Sequence, residues 1–252
     1  NLDKYFFGVD YVFHLAGLAD IVPSIENPKK YFDSNVVGTF NVVRASQKAK
    51  IKKFVYAASA SCYGIPKKFP TKENDLINPM YPYALTKYIG EQLLMHWNKV
   101  YKIPVVSLRL FNVYGIRSRT NSTYGAVMGV FFAQYLSNQP LTIVGSGKQK
   151  RDFVFISDVV DAFVKASKIR VNSEIFNIGS GKPRTINKLA NLISNNKKIH
   201  IPKRPGEPNC TWADISKTKK MLGWKPKIQL EEGINLLIKN ISYWKNAPVW
   251  NK

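Results

Sequence analysis

The chain has 252 residues, 45% of them hydrophobic, enough to bury a sizeable core as one large domain or two small ones. Its 38 Lys and Arg against 16 Asp and Glu leave a formal net charge of +22. The cations lie in scattered pairs such as Lys29-Lys30, Lys67-Lys68 and Lys219-Lys220, which argues against nucleic acid as a main partner and for a solvated basic surface that draws in small anions.

No run approaches the ~18 apolar residues of a transmembrane helix, so no membrane association is expected. The two cysteines, Cys62 and Cys210, offer neither metal spacing nor a disulfide framework and suit a reducing cytoplasm. No metal site is predicted.

In chain order, Asp10-Tyr11-Val12-Phe13-His14-Leu15-Ala16-Gly17 reads as a buried strand ending in a small-residue turn. Asn27-Pro28 opens a helix whose apolar residues recur at three and four, through Tyr31, Val36, Val37, Phe40, Val43 and Ala45. Within it Gly38 is expected to let the helix approach a neighbour closely, at a propensity cost of about 1 kcal/mol.

Phe54-Val55-Tyr56-Ala57-Ala58 is a second apolar strand, running into the turn Ser59-Ala60-Ser61-Cys62-Tyr63-Gly64. Pro82 then fixes the start of a helix on which Tyr83 and Lys87, four apart, share a face. A phenol beside an ammonium makes a base if the cation lowers a pKa that is ordinarily near ~10. A serine hydroxyl reaching the phenol completes a proton path to a substrate alcohol. The spacing alone suits a solvated helix face equally well. The flanking strands, with Val105-Val106-Ser107-Leu108-Arg109-Leu110 following, put the pair at the carboxyl ends of parallel strands, where α/β folds bind ligands.

Residues 112–150 leave this alternation, with a polar loop, a helix carrying Val127, Val130, Phe131, Phe132, Tyr135 and Leu136, and a short strand Leu141-Thr142-Ile143-Val144. Lys150-Arg151-Asp152-Phe153-Val154-Phe155 leads to Asp158, predicted to cap a helix over residues 159–167. Glu174-Ile175-Phe176-Asn177-Ile178 is a strand, and Thr185 caps a further helix. Leu222-Gly223-Trp224-Lys225-Pro226 reads as a packing element and residues 230–244 as one amphipathic helix.

Taken together, the Tyr-x-x-x-Lys helix, the Ser-Ala-Ser-Cys-Tyr-Gly strand end, Leu108-Arg109-Leu110-Phe111-Asn112-Val113-Tyr114-Gly115 and the Arg151-Asp152 strand resemble the extended short-chain dehydrogenase/reductase family. Within it they are most similar to the nucleotide-sugar epimerases typified by UDP-glucose 4-epimerase. The resemblance implies a Rossmann-like doubly wound parallel sheet with a smaller C-terminal substrate-binding α/β region. It implies a dinucleotide-binding part over residues 1–111, with 152–180 returning to it, and a nucleotide-sugar part over 112–151 and 181–252.

By the same resemblance the cofactor is NAD, bordered by Leu15, Ala16, Gly17, Asn35, Tyr83 and Lys87. Asn35 holds the loop and cofactor near the active strand, and Ser59, Tyr83 and Lys87 are catalytic. Asn112, Ala126, Val127, Thr142, Val144, Arg151, Arg204, Glu207 and Thr211 meet a UDP-hexose. Arg151 is the expected diphosphate clamp, since a guanidinium makes two parallel charged bonds to phosphate, with Arg204 as second cation and Glu207 accepting from the ribose. A homodimer through the helices around Val36 and Ile89 is expected on resemblance alone.

The implied reaction is inversion of carbon 4 through a transient ketone. The alternatives are a sugar-nucleotide 4,6-dehydratase, a UDP-glucuronate decarboxylase or a non-catalytic nucleotide-binding module. Dehydratases of the family carry Thr-Asp-Glu where this chain has Ser59-Ala60-Ser61, and decarboxylases carry Glu at Ser61. Thr211, where hexose-restricted relatives place Tyr, is expected to leave room for a 2-acetamido group. A Gly-x-x-Gly-x-x-Gly turn after a first strand is not found, since Gly145-Ser146-Gly147 and Gly179-Ser180-Gly181 come too late. The reading is therefore of an N-terminally truncated sheet with weak dinucleotide binding and little activity by itself.

Overall fold

The structure is a computed structural model and describes residues 2–118, 127–195, 197–203 and 207–245. It opens with β1 (Tyr11–His14) and α1 (Ile21–Glu26). A continuous helical run follows, made of α2 (Pro28–Phe32), a π-helical turn (Asp33–Val37) and α3 (Gly38–Ala49). Asn27 starts this run by accepting from the Lys30 amide at 3.2 Å, with Pro28 in its first turn. Then come β2 (Lys53–Ser59), a 3-10 turn (Ala60–Tyr63), α4 (Pro82–Tyr101), β3 (Val105–Leu110) and β4 (Asn112–Tyr114). The second half holds α5 (Val127–Leu136), β5 (Leu141–Val144), β6 (Lys150–Arg151), β7 (Phe153–Phe155), α6 (Ile156–Lys168) and β8 (Ser173–Ile178). It closes with β9 (Arg184–Thr185), α7 (Ile186–Ile193), β10 (Lys198–Ile201), α8 (Ser216–Leu222), α9 (Leu230–Lys239) and a 3-10 turn (Ile241–Trp244).

Four parallel strands form the main sheet in the order β1-β2-β3-β8. β2 is buried on both faces and alternates its side chains between two cores. Val55 and Ala57 join Phe163 and Trp224 on the α6 side, whereas Phe54, Tyr56 and Ala58 join Val43 and Leu94 on the α3 and α4 side. Helices on both faces of a parallel sheet are the doubly wound arrangement that the family resemblance implies.

A smaller region is built from two-stranded pairs, β4 with β7 and β5 with β10 in parallel and β6 with β9 antiparallel. Its core gathers Phe131, Phe132, Leu141, Ile143, Leu189, Ile234 and Leu237, and each such burial contributes roughly 1.5–3 kcal/mol. The tail is not one helix. It breaks at Asn240, and the following turn brings Trp244 to stack on Phe132 at 4.9 Å.

Two local expectations are corrected. Asp158 does not cap α6: its carboxylate accepts the amides of Lys227 and Ile228, both at 3.0 Å, and its carbonyl accepts from Trp224 Nε1 at 2.8 Å. Amides remote in sequence win this side chain from the helix terminus. Gly38 is not the close-approach glycine either, since a Cβ there would meet only Asp33 O at 3.7 Å. That role belongs to Gly90 on α4, where a Cβ would stand 2.5 Å from the Tyr56 hydroxyl. Among the described residues no helix is long and apolar enough to cross a membrane.

Candidate active site

The end of β2 and the start of α4 meet at the carboxyl edge of the sheet. Ser59 is the last residue of β2, and its hydroxyl accepts the Ser61 amide at 3.2 Å and shares a hydrogen bond with the Ser61 hydroxyl at 2.8 Å. This places a short turn of small side chains where the strand stops. Pro82 stands in the first turn of α4 with Tyr83 beside it, and the Ser59 hydroxyl acts on the Tyr83 phenol. The Tyr31 ring packs edge-on to Tyr83 at 6.5 Å. Lys87, one turn later, is 7% exposed.

The electrostatics differ from the simple pairing read in sequence. Burial pushes the Tyr83 phenol above its ordinary value, and the Ser59 hydroxyl opposes this. The ammonium of Lys87 lies over the Tyr56 ring, 4.4 Å from its centroid. Burial also lowers Lys87 to about 8. His14, behind the strand end, is lowered to about 4, first by burial and then by the Lys87 charge.

A cradle lies next to these groups. Leu15, Ala16 and Gly17 are exposed at the end of β1, and a Cβ on Gly17 would stand 2.9 Å from Asn35 Oδ1 and 3.7 Å from Lys87 Nζ. Asn35 sits in the π-helical turn, a deviation common at functional sites. Its amide is fully used: Oδ1 accepts from the Leu18 amide at 2.7 Å, while Nδ2 donates to the Leu18 carbonyl and to Thr86 Oγ1, both at 3.0 Å. The loop after β1 is thereby tied to α4, so the cradle and the Tyr83-Lys87 helix form one unit. A cavity of about 400 Å³ opens beside it, bordered by His14, Ala16, Ser34 and Gly38.

Beneath the site a buried polar network holds the elements in place. Arg109 on β3 bonds Glu91 through Nε at 3.1 Å and a terminal nitrogen at 2.7 Å, and its other nitrogen donates to Tyr63 OH and the Glu73 carbonyl, both at 2.8 Å. Ser107 donates to Glu91 at 2.8 Å, and Tyr63 donates to Asn177 Oδ1 at 2.7 Å. Glu91 lies on the Tyr83-Lys87 face of α4 and Tyr63 in the turn after Ser59, so Arg109 sets the helix against the strand end.

The remaining sequence-predicted residues lie on the side of the smaller region. Thr211 Oγ1 donates to Asn112 Oδ1 at 2.9 Å and accepts the Asp152 amide at 3.1 Å. Arg151 is nearly buried and is already engaged, with Glu207 Oε1 at 2.6 Å and the carbonyls of Pro208 and Lys150 at 2.8 and 2.9 Å. Glu207, read as a ribose acceptor, is therefore the ion-pair partner of the expected clamp. Thr142 commits its hydroxyl and amide to Gln134, at 2.9 and 3.0 Å. Val144 is half-buried on the same strand, and Val127 packs against the smaller core. Ala126 and Arg204 lie outside the described residues.

Sequence reasoning passed over Thr86, Glu91 and Tyr56. The first two repeat the helical spacing of Tyr83 and Lys87 on α4, a signal that the chain carries openly. Tyr56 sits in an apolar run with nothing local to set it apart.

The model of the NAD dependent epimerase/dehydratase family matches residues 1–179. A Methanocaldococcus jannaschii protein described as a putative UDP-glucose 4-epimerase is 39% identical over 236 residues, 91% of this chain and 76% of its own length. The solved UDP-N-acetylglucosamine 4-epimerase of Methanobrevibacter ruminantium, in complex with UDP-N-acetylmuramic acid, is 32% identical with a TM-score of 0.90, covering 95% of this chain and 80% of that one. The UDP-glucuronic acid 4-epimerase of Bacillus cereus, in complex with UDP-glucuronic acid and NAD, is 31% identical with a TM-score of 0.88, covering 98% and 78%.

Proposed function

Because the chain belongs to the NAD dependent epimerase/dehydratase family, we propose that it serves a nucleotide-sugar epimerase that inverts carbon 4 of a UDP-hexose by transient oxidation and re-reduction. The observation that carries the reading is the placement of Ser59 at the end of β2 and of Tyr83 and the buried Lys87 one turn apart at the start of α4, beside a strand end where a Cβ at position 17 would press on Asn35 Oδ1. The exposed Leu15-Ala16-Gly17 strip, backed by Asn35 and Lys87, leaves room for a dinucleotide to lie against it. NAD held there supplies a hydride acceptor and donor and, in its oxidised form, a positive charge near the phenol.

Tyr83 takes the proton of the 4-hydroxyl and returns it, Ser59 bridges hydroxyl and phenol, and Lys87 supplies the fixed cation. In the chain alone burial keeps the phenol protonated, so its ionisation waits on charge that arrives with the bound ligands. On the sugar-nucleotide side Asn112 and Thr211 face the hexose, and Arg151 gives up Glu207 to bond the diphosphate. Val127, Thr142 and Val144 complete that side, and the same role is proposed for Ala126 and Arg204, outside the described residues.

Ser61 favours epimerisation over the family's other chemistries. Its hydroxyl is bonded to Ser59, at a position where elimination or decarboxylation needs a carboxyl group. We assign the enzyme to the cytoplasm, as a homodimer through the helices around Val36 and Ile89, where Val37 of the π-helical turn, Phe40 of α3 and Leu85 of α4 are exposed.

The test is turnover by the natural protein with NAD and, in turn, UDP-galactose, UDP-N-acetylgalactosamine and UDP-glucuronate. Conversion of one or more to its 4-epimer is expected. Tyr83→Phe should lose roughly 10²–10⁴-fold in kcat. No conversion of any of the three would favour a binding module instead, and undiminished activity of the phenylalanine variant would remove the mechanism. Thr211→Tyr should lower kcat/KM for the 2-acetamido sugar while sparing the plain hexose, and equal treatment of both by the variant would sink the size argument.

A further inference from the structure

Lys87 is buried, yet among the described residues no carboxylate pairs with it. The titratable groups that face it are Tyr56 from β2 and His14 from β1, and Tyr83 stands one turn earlier on its own helix. Glu91, one turn further along α4, is committed to Arg109 and Ser107. His14 is kept neutral by burial and by Lys87 itself. A buried ammonium with no counter-charge is costly unless something else favours its charged form.

We propose that the Tyr56 ring is the electrostatic partner of Lys87, holding its ammonium both charged and in place where a carboxylate would neutralise it. The ammonium lies 4.4 Å from the ring centroid, within the range of a cation–π interaction. The ring itself is rigidly set. Tyr56 is 0% exposed, His14 stacks on it at 5.7 Å with planes 26° apart, and the Tyr56 hydroxyl donates to the Lys87 backbone carbonyl at 3.3 Å. His14 is in turn fixed by Thr39 at 2.9 Å, and Thr39 donates to the Asn35 carbonyl at 2.6 Å. Gly90 makes the approach of α4 possible, since any side chain there would strike the Tyr56 hydroxyl. Tyr56 is therefore a positioning residue, acting through Lys87.

The proposal rests on the function proposed above only for the use made of the charge. Its test reads the charge directly. In the natural protein carrying [13C]lysine, the Lys87 resonance is assigned by its absence in Lys87→Met and titrated by NMR. A ring that favours the ammonium raises its pKa, so removing the ring lowers the midpoint. Tyr56→Leu should move the midpoint down by about 0.5 to 1 pH unit and Tyr56→Phe should leave it in place. A fluorinated phenylalanine at position 56, of nearly the same shape with a weakened π face, should fall between them.

If the fluorinated and leucine variants titrate with the parent, the proposal is overturned; if leucine does not fold, the fluorinated variant decides alone. With active enzyme, the alkaline limb of the kcat profile should move to lower pH in step with the titration, while the profile of Tyr56→Phe stays in place. Absence of turnover in the parent would count against the proposed reaction and leave the outcome of the titration standing.

Discussion

The main sheet and the smaller region bury their polar groups in different ways. Under the sheet's carboxyl edge, side chains bond side chains: Arg109 with Glu91 and Tyr63, His14 with Thr39, Asn35 with Thr86. In the smaller region and at its border, beside side-chain pairs such as Thr211 with Asn112 and Arg151 with Glu207, buried carboxylates answer backbone. Asp152 accepts the amides of Ser180, Gly181 and Ala213 at 2.5, 3.1 and 2.9 Å, and Asp158 holds Lys227 and Ile228. The first kind of bonding fixes the relative placement of chemically active side chains. The second pins loops whose own side chains remain free to vary, so the difference separates a proton site of fixed geometry from an adaptable recognition surface.

The comparison is broken most severely at Arg109. Arg109→Met leaves Glu91 buried without its partner, and a loss of roughly 3–5 kcal/mol is expected in denaturant unfolding. A second replacement, Glu91→Leu in the same chain, should return much of it. If the single variant unfolds like the parent, the network is not what holds α4.

His14 sharpens the comparison through pH. Its folded pKa is depressed to about 4 from 6.5, so the unfolded chain binds the proton more readily. Its contribution is then present above pH ~6.5 and is lost as the pH falls toward ~4, amounting to about 3 kcal/mol at most. His14→Phe should show a shallower loss of stability than the parent between pH 6.5 and 4.5, measured as the difference between two urea titrations. Parallel curves would mean that His14 takes up its proton in the fold as readily as in the unfolded chain.

The smallest effect is expected on the other side. Thr211→Val removes the bond to Asn112 and leaves the Asp152 amide without its acceptor, a cost of about 1–3 kcal/mol. Because the change lies in the recognition region, KM for the nucleotide sugar should rise while kcat is retained. A fall in kcat with constant KM would show that the two regions are not separable.

Much of the fold was open to reading along the chain. The apolar strand runs, Pro82 at the start of α4, Thr185 as a cap and the Tyr83-Lys87 spacing are local signals, and each was found where periodicity and turn chemistry put it. The candidate site was half open in the same way. Ser59 and Tyr83 were expected together and are together, as are Asn112 and Thr211. Arg151 and Glu207 were expected to serve a ligand separately and instead form an ion pair, because only folding brings residues 56 positions apart within reach.

What the sequence determined by itself was the order of strands and helices and the residue types offered at each strand end, since these follow from backbone propensity and from repeats of two or three to four residues. What the tertiary structure decided was where the long side chains turn. The Lys87 ammonium comes to rest over the Tyr56 ring, Asp158 leaves its helix end for a distant turn, and Gly90, not Gly38, is the glycine that space requires. In each case several partners lie within one side-chain length, and burial and steric room, which no local pattern records, choose among them.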